Sequence, residues 1–222
     1  MSTGAKTKGR KRLSAGRRRE VIEAAATELF AQRGYPGASI ESIARRSGVT
    51  APVVYDHFSS KIDLYRHLLE AHFAELRGIW DRNFPGAEES SVRVSRSFDA
   101  WFAYVEQHPA AATMLFREPS GDRGAEAVHR EVSTRSRVQV MELFVAEPGS
   151  EGLTGSPAGA GVEMAWVVLR GVLQGLALWW VEHPEVPREQ VVATAMNSLW
   201  IGFERAAAGD GWTPPDQEDQ PG

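Results

Sequence analysis

Residues 39–61 read SIESIARRSGVTAPVVYDHFSSK, and the fold is decided in this stretch. Ser39 is a good N-cap, and Ile40, Ile43 and Ala44 follow at helical spacing, which predicts a short helix over 39–46. Ser47-Gly48-Val49-Thr50 turns the chain: glycine takes the sharp bend, and Thr50 can cap the helix that follows. Pro52 falls in the first turn of that second helix, expected over 51–58, where its missing N–H costs little. Val49, Val54 and Phe58 read as core. Two short helices about a four-residue turn with glycine have helix-turn-helix spacing. In that geometry the second helix enters the major groove of double-stranded DNA. Its first residues meet base edges, while its amide dipoles and the Thr50 hydroxyl meet phosphate.

Upstream, Val21/Ile22, Ala25/Ala26 and Leu29/Phe30 recur every four residues and make one helical stripe. Gly34 is placed to close that helix, and it can pack across the other two. Downstream, Ser60 and Asp63 form a possible capping box for a long helix to about residue 80. Helices are then expected through Val94, Phe98, Trp101 and Val105, ended by His108-Pro109, through Met114-Leu115-Phe116, and over about 123–146. Residues 147–161 are rich in Gly, Pro and Ser and read as a long loop. Two helices, about 162–182 and 188–208, are apolar around much of their circumference, so each needs two partners. One partner is the chain's own core. The other is a second copy of the chain, with Gly171 and Gly175 allowing close approach, or else a single larger core. The class is all-α with about nine helices. Four segments are expected: a disordered basic arm (1–16), a helix-turn-helix domain (17–61), a helical body for ligand binding and dimerisation (62–208) and a disordered tail (209–222).

Composition agrees. The chain has 222 residues, a formal net charge of −4 and no Cys, which excludes a disulfide scaffold, a Cys-ligated zinc site and a thiol nucleophile. At roughly 100–200 residues per domain it holds one or two domains. Its most apolar stretch, 162–181, is broken by Glu163, Arg170 and Gln174, so no membrane span and a cytoplasmic protein are expected. Residues 1–19 carry eight basic side chains and no acid, whereas everything after Lys61 sums to −11. A basic head on an acidic body fits a polyanion met by the head alone, and equally a solvated tail.

No catalytic motif is present: there is no G-x-S-x-G, Walker loop or H-E-x-x-H. His67 and His72 do not share a helical face. Glu126 and His129 do, but two ligands make no metal set, and both read as surface residues. No catalytic residue, metal or cofactor is expected.

The run Gly34-Tyr35, Ser39-Ile40, Ile43-Ala44, Gly48-Val49-Thr50 and Val54-Tyr55-Asp56-His57-Phe58-Ser59-Ser60-Lys61 resembles the DNA-binding domain of the tetracycline-repressor (TetR) family of bacterial transcription regulators. Trp179-Trp180 followed by Glu182-His183-Pro184-Glu185 is also similar to members of that family. The resemblance implies a repressor that binds a palindrome as a homodimer, through helices about 162–182 and 188–208, and is released by a small molecule. It implies that Ser39 and Lys61 bind phosphate and that Thr50, Ala51, Pro52 and Val53 face the groove. Tyr55 and His57 would lie against the backbone. Members commonly have a polar or basic residue at the position of Ala51 and Gly at that of Pro52. Here both are apolar and offer thymine-methyl contacts but no hydrogen bonds. Arginines of the 1–19 arm can supplement that readout from the minor groove.

The body would then sense the ligand, an apolar and flat or aromatic molecule. Candidate lining residues are Trp80, Trp101, Phe102, Tyr104, Met114 and Phe116, with Met141, Phe144, Trp166 and Leu173 from later helices. Arg117, Gln107 and Asn197 would add polar contacts. Core filling is the plainer role for any one of these aromatics. Two other classes use the same features: a helical enzyme or carrier, which leaves the basic head unexplained, and a non-regulatory helix-turn-helix DNA binder, which the acidic body disfavours.

Overall fold

In the computed structural model, residues 14–145 and 160–208 are described, and among them there is no strand. The order is α1 (Ala15–Gly37), α2 (Ile40–Ser47), α3 (Ala51–Tyr55), α4 (Lys61–Asn83), α5 (Ser90–Gln107), α6 (Pro109–Phe116), α7 (Arg123–Val145) and α8 (Ala160–Glu182). The last rod runs as α9 (Arg188–Ala195), a π-helical turn (Met196–Trp200) and α10 (Ile201–Ala207). Counting that rod once gives nine helices among the described residues. Of the expected arm (1–16), Ser14 instead caps α1 and Ala15-Gly16 begin it, and of the expected loop (147–161), residues 160–161 begin α8; the rest of the arm, the rest of the loop and the tail lie outside these residues.

The head is built on short-range signals. Ser14 caps α1 by accepting from Arg17 N–H at 3.2 Å. At Gly34 the backbone adopts φ 67°, ψ 172°, a region open essentially only to glycine, and the chain kinks there before Tyr35. Ser39 and Ser42 cap α2 reciprocally, each hydroxyl accepting the other's backbone N–H at 3.0–3.1 Å. Gly48 sits at φ 71°, and two bonds close a Schellman motif: Val49 N–H to Ala44 O at 3.0 Å and Gly48 N–H to Arg45 O at 3.3 Å.

Three local expectations change. Helix α3 ends at Tyr55 rather than residue 58, because His57 and Phe58 N–H both turn onto Val54 O at 3.0 Å. Thr50 occupies the N-cap position of α3 but makes no cap hydrogen bond. Ser60 caps α4 as expected, its Oγ accepting from Asp63 N–H at 3.2 Å, but the returning half of the box is shifted: Asp63 accepts from Ser59 N–H at 2.9 Å and from the Ser59 hydroxyl rather than from the Ser60 amide.

Packing continues unbroken from head to body. Phe30, Tyr35 and Tyr65 form an aromatic triangle with centroids 5.1–5.7 Å apart, joining α1 to α4. Val54 and Phe58 are buried and anchor α3 from its inner side. In the body, Trp80 meets Phe98 edge-on at 6.0 Å and Phe102 meets Trp180 at 5.9 Å, so α4, α5 and α8 share one core. Arg93 is buried at the α4–α5 junction, donating to Phe84 O and Glu88 O at 3.0 Å and to Ser90 Oγ at 2.9 Å.

Helix α8 has two faces. Leu169, Leu173, Ala177 and Trp180 are buried against the chain's own core. Met164, Val168 and Trp179, on the opposite stripe with Gly171 and Gly175 between them, are 58%, 51% and 45% exposed. A Cβ added at either glycine would meet nothing within 4 Å. By length and composition alone Glu163–Glu182 would suffice to cross a membrane, with a mean hydropathy of 1.4, and only 22% of it is buried.

Candidate nucleic-acid interface and internal cavity

The outer face of the head gathers polar groups whose hydrogen-bonding capacity is not fully used among the described residues. Thr50, Pro52, Tyr55 and Asp56 are exposed, and Ala51, Val53 and His57 are half-buried. Tyr55 is 52% exposed, which is high for an aromatic residue on a helix anchored by buried Val54. The Thr50 hydroxyl, the Tyr55 phenol and the His57 imidazole make no hydrogen bond among the described residues. Ser39 is exposed and accepts from Ser42 N–H, so its own O–H proton remains available. Lys61 Nζ donates to Tyr35 O at 3.0 Å and Ala38 O at 3.1 Å, and lies 4.0 Å from the centre of the Tyr35 ring. One of its three protons remains for an outside acceptor.

Basic residues divide into spent and unspent. Arg17 pairs with Glu20 at 2.7 Å and Arg19 with Glu23 at 2.8 Å. Arg19 also stacks over Phe58 at 4.6 Å. Arg46 pairs with Glu28. Arg33 and Arg45 are exposed and make no ion pair among the described residues. Neither was expected from sequence, since single arginines on helix surfaces carry no positional signal.

Head and body meet at a histidine-rich seam. His67 Nε2 bonds Glu23 at 2.8 Å. His72 bonds the Tyr104 hydroxyl through Nδ1 at 2.6 Å and faces Thr27 Oγ1 at 3.5 Å through Nε2. Burial, then the neighbouring His108, pushes the His72 pKa down to about 4. His129, expected on the surface, is buried and donates from Nε2 to Leu115 O at 2.9 Å. Burial lowers its pKa too. A folded-state pKa below the unfolded value of about 6.5 contributes stability above that value, and the contribution fades as pH falls toward the folded pKa. His72 alone therefore predicts a loss of about 1.5 kcal/mol between about pH 6.5 and about pH 5. Urea denaturation at the two pH values measures it, and the loss shrinks in His72→Gln.

The body holds a cavity of about 70 Å³ between α4 and α8. Of the candidate ligand residues, Trp80, Trp101, Phe116, Trp166 and Leu173 line it. Phe73, Leu76, Val140 and Leu169 complete its apolar wall. Phe102 and Met114 are buried core, and Tyr104 is held by His72. Arg117 pairs with Glu182 at 2.7 Å on the surface. Met141 is half-buried, Gln107 and Asn197 are exposed, and none of the three lines the cavity. The Phe144 side chain lies outside the described residues. The polar lining, Arg77, Ser133, Ser136, Arg137, Arg170 and Gln174, was missed: an arginine at the rim of a cavity and one elsewhere on the surface look alike in sequence. Among the described residues no three His, Asp or Glu side chains cluster as metal ligands.

Residues 22–68 match a family model described as bacterial regulatory proteins, tetR family. The chain is 30% identical over 194 residues to the HTH-type transcriptional activator FasR of Mycolicibacterium smegmatis, covering 86% of this chain and 85% of that protein. The structure of FadR from Bacillus subtilis in complex with stearoyl-CoA superposes with a TM-score of 0.65 at 17% identity, covering 86% of this chain and 98% of that one. NalD, the secondary repressor of the MexAB-OprM multidrug efflux pump in Pseudomonas aeruginosa, gives 0.60 at 20% identity, covering 85% and 97%. These structural likenesses establish a shared fold.

Proposed function

We propose that this chain, which belongs to the tetR family of bacterial regulatory proteins, occupies a palindromic operator as a homodimer and leaves it when a ligand fills the α4–α8 cavity. It is a ligand-responsive, DNA-binding transcriptional regulator, working in the cytoplasm. The observation that carries the reading is the outer face of the head, where Ser39, Thr50, Tyr55 and His57 present unspent polar groups around α3. Ser39, Thr50 and the free Lys61 proton take phosphate. Ala51, Pro52 and Val53 face the groove, and Tyr55 and His57 flank the backbone. The exposed α8 stripe makes the dimer seam and sets two copies of α3 about 34 Å apart, one DNA turn.

Release follows from α4. The helix begins at Lys61, tied to the head, and ends beside the cavity with Phe73, Leu76, Arg77 and Trp80 in its wall. A ligand that fits the cavity in only one α4 position shifts the equilibrium by its differential affinity for the two states. Hydroxyl-radical footprinting across the DNA flanking the gene tests the geometry. Two protected patches one helical turn apart are expected, and a single unpaired patch contradicts it. The likeness to FasR, an activator, favours a second reading in which the same dimer raises transcription. In vitro transcription separates them: added protein lowers output for a repressor and raises it for an activator.

The basic arm supplements a groove face that is short of hydrogen-bond donors. Arg17 and Arg19 are paired within the head, whereas Arg18 makes no ion pair among the described residues, and Lys6, Lys8, Arg10, Lys11 and Arg12 supply the arm's remaining cations. Deleting residues 1–13 is expected to lower affinity and to flatten the salt dependence, by about 0.9 in log–log slope for each phosphate no longer neutralised. Unchanged affinity and slope would mean that the arm takes no part in binding.

A further inference from the structure

We infer that the ligand is an organic anion with an apolar body, its charged end held by Arg77, Arg137 and Arg170. The inference rests on the cavity being the ligand site. Three arginines line that cavity, and no Asp or Glu does among the described residues. This runs against the surroundings, since the chain after Lys61 carries a net −11.

The guanidinium groups are incompletely used. Arg77 Nε lies 3.3 Å from Asp81 without the alignment of a hydrogen bond, and Arg137 stands 3.6 Å from Glu163. Both Nε atoms are buried with no hydrogen-bond partner. Arg170 is exposed at the cavity's rim and makes no ion pair among the described residues. Buried donors left unbonded are costly, and an entering anion would satisfy them. A guanidinium fork matches the two oxygens of a carboxylate or phosphate, so either head group suits the site. Ser133, Ser136 and Gln174 lie along the same polar lining, while Trp80, Trp101 and Trp166 belong to the apolar wall. A ligand with one charged end and one greasy end matches both walls, which a neutral apolar molecule does not.

Octanoate, octyl phosphate and 1-octanol share one chain and differ only at the head, so they separate charge from bulk. Binding is followed by quenching of tryptophan fluorescence in the full chain and checked by calorimetry. The expected result is that at least one anion binds about tenfold or more tightly than octanol. Arg170→Gln and Arg137→Gln then each weaken that anion about tenfold and leave octanol unchanged, with helix content intact by circular dichroism. Which anion wins tells a carboxylate ligand from a phosphate one. Octanol binding as tightly as both anions, or variants that leave the anion-to-octanol ratio unchanged, overturns the inference while the cavity reading stands. Ser136→Phe fills the cavity. If it blocks none of the three probes, or if none binds the wild type, the cavity reading fails and the inference goes with it.

Discussion

Val168→Arg is expected to leave the protein monomeric and to weaken its hold on a two-half-site operator by about 10²–10⁴-fold. Val168 is at the centre of the exposed α8 stripe, flanked by Met164 on one side and Gly171 and Gly175 on the other. In a dimer it meets its own symmetry mate or a near neighbour, so one substitution places two cations in one apolar seam. The monomer keeps its own core, because Leu169, Leu173, Ala177 and Trp180 bury the opposite face. Each half-site is then bound singly, and the gain from linking two recognition helices disappears. Light scattering reports the mass and fluorescence anisotropy the affinity. A dimer that survives Val168→Arg moves the seam off this stripe.

Arg93→Leu is expected to cost about 3–5 kcal/mol of stability and to lower the melting temperature by roughly 10 °C. Arg93 is 6% exposed, and its guanidinium bonds two backbone carbonyls and one hydroxyl across the α4–α5 junction. It also lies 5.6 Å over the Phe84 ring. Leucine fills most of the volume but leaves the carbonyls of Phe84 and Glu88 without this donor. Thermal melts by circular dichroism measure the shift. A cost under about 1 kcal/mol would mean that water replaces the guanidinium at those carbonyls.

The head was legible in sequence because its signals are local. Gly34 and Gly48 mark positive-φ positions, Ser39 marks a cap, and Ile40, Ile43, Val54 and Phe58, read as apolar core, are buried. That α8 is apolar around much of its circumference was legible too, but which of its residues turn outward was not. What sequence left open depends on which way a side chain turns in three dimensions. Thr50 in an N-cap position reads as a cap, yet its hydroxyl makes no such bond. Asp63 reaches Ser59 rather than the Ser60 amide because the chain folds back there. Phe102 and Trp101 are neighbours in sequence, but only Trp101 faces the cavity while Phe102 is sealed in the core. The arginines of the cavity carry no motif at all. His129 could be placed only once α6 and α7 were packed together.

Sequence-specific DNA binding by the α2–α3 head is the central claim. Its most direct test is fluorescence anisotropy of the full chain on duplexes tiled across the DNA flanking its gene, at several salt concentrations, with random duplex as reference. The predicted result is one tight site, at least about 10³-fold above random DNA and strongly weakened by salt. Weak binding of equal strength on every duplex would contradict it.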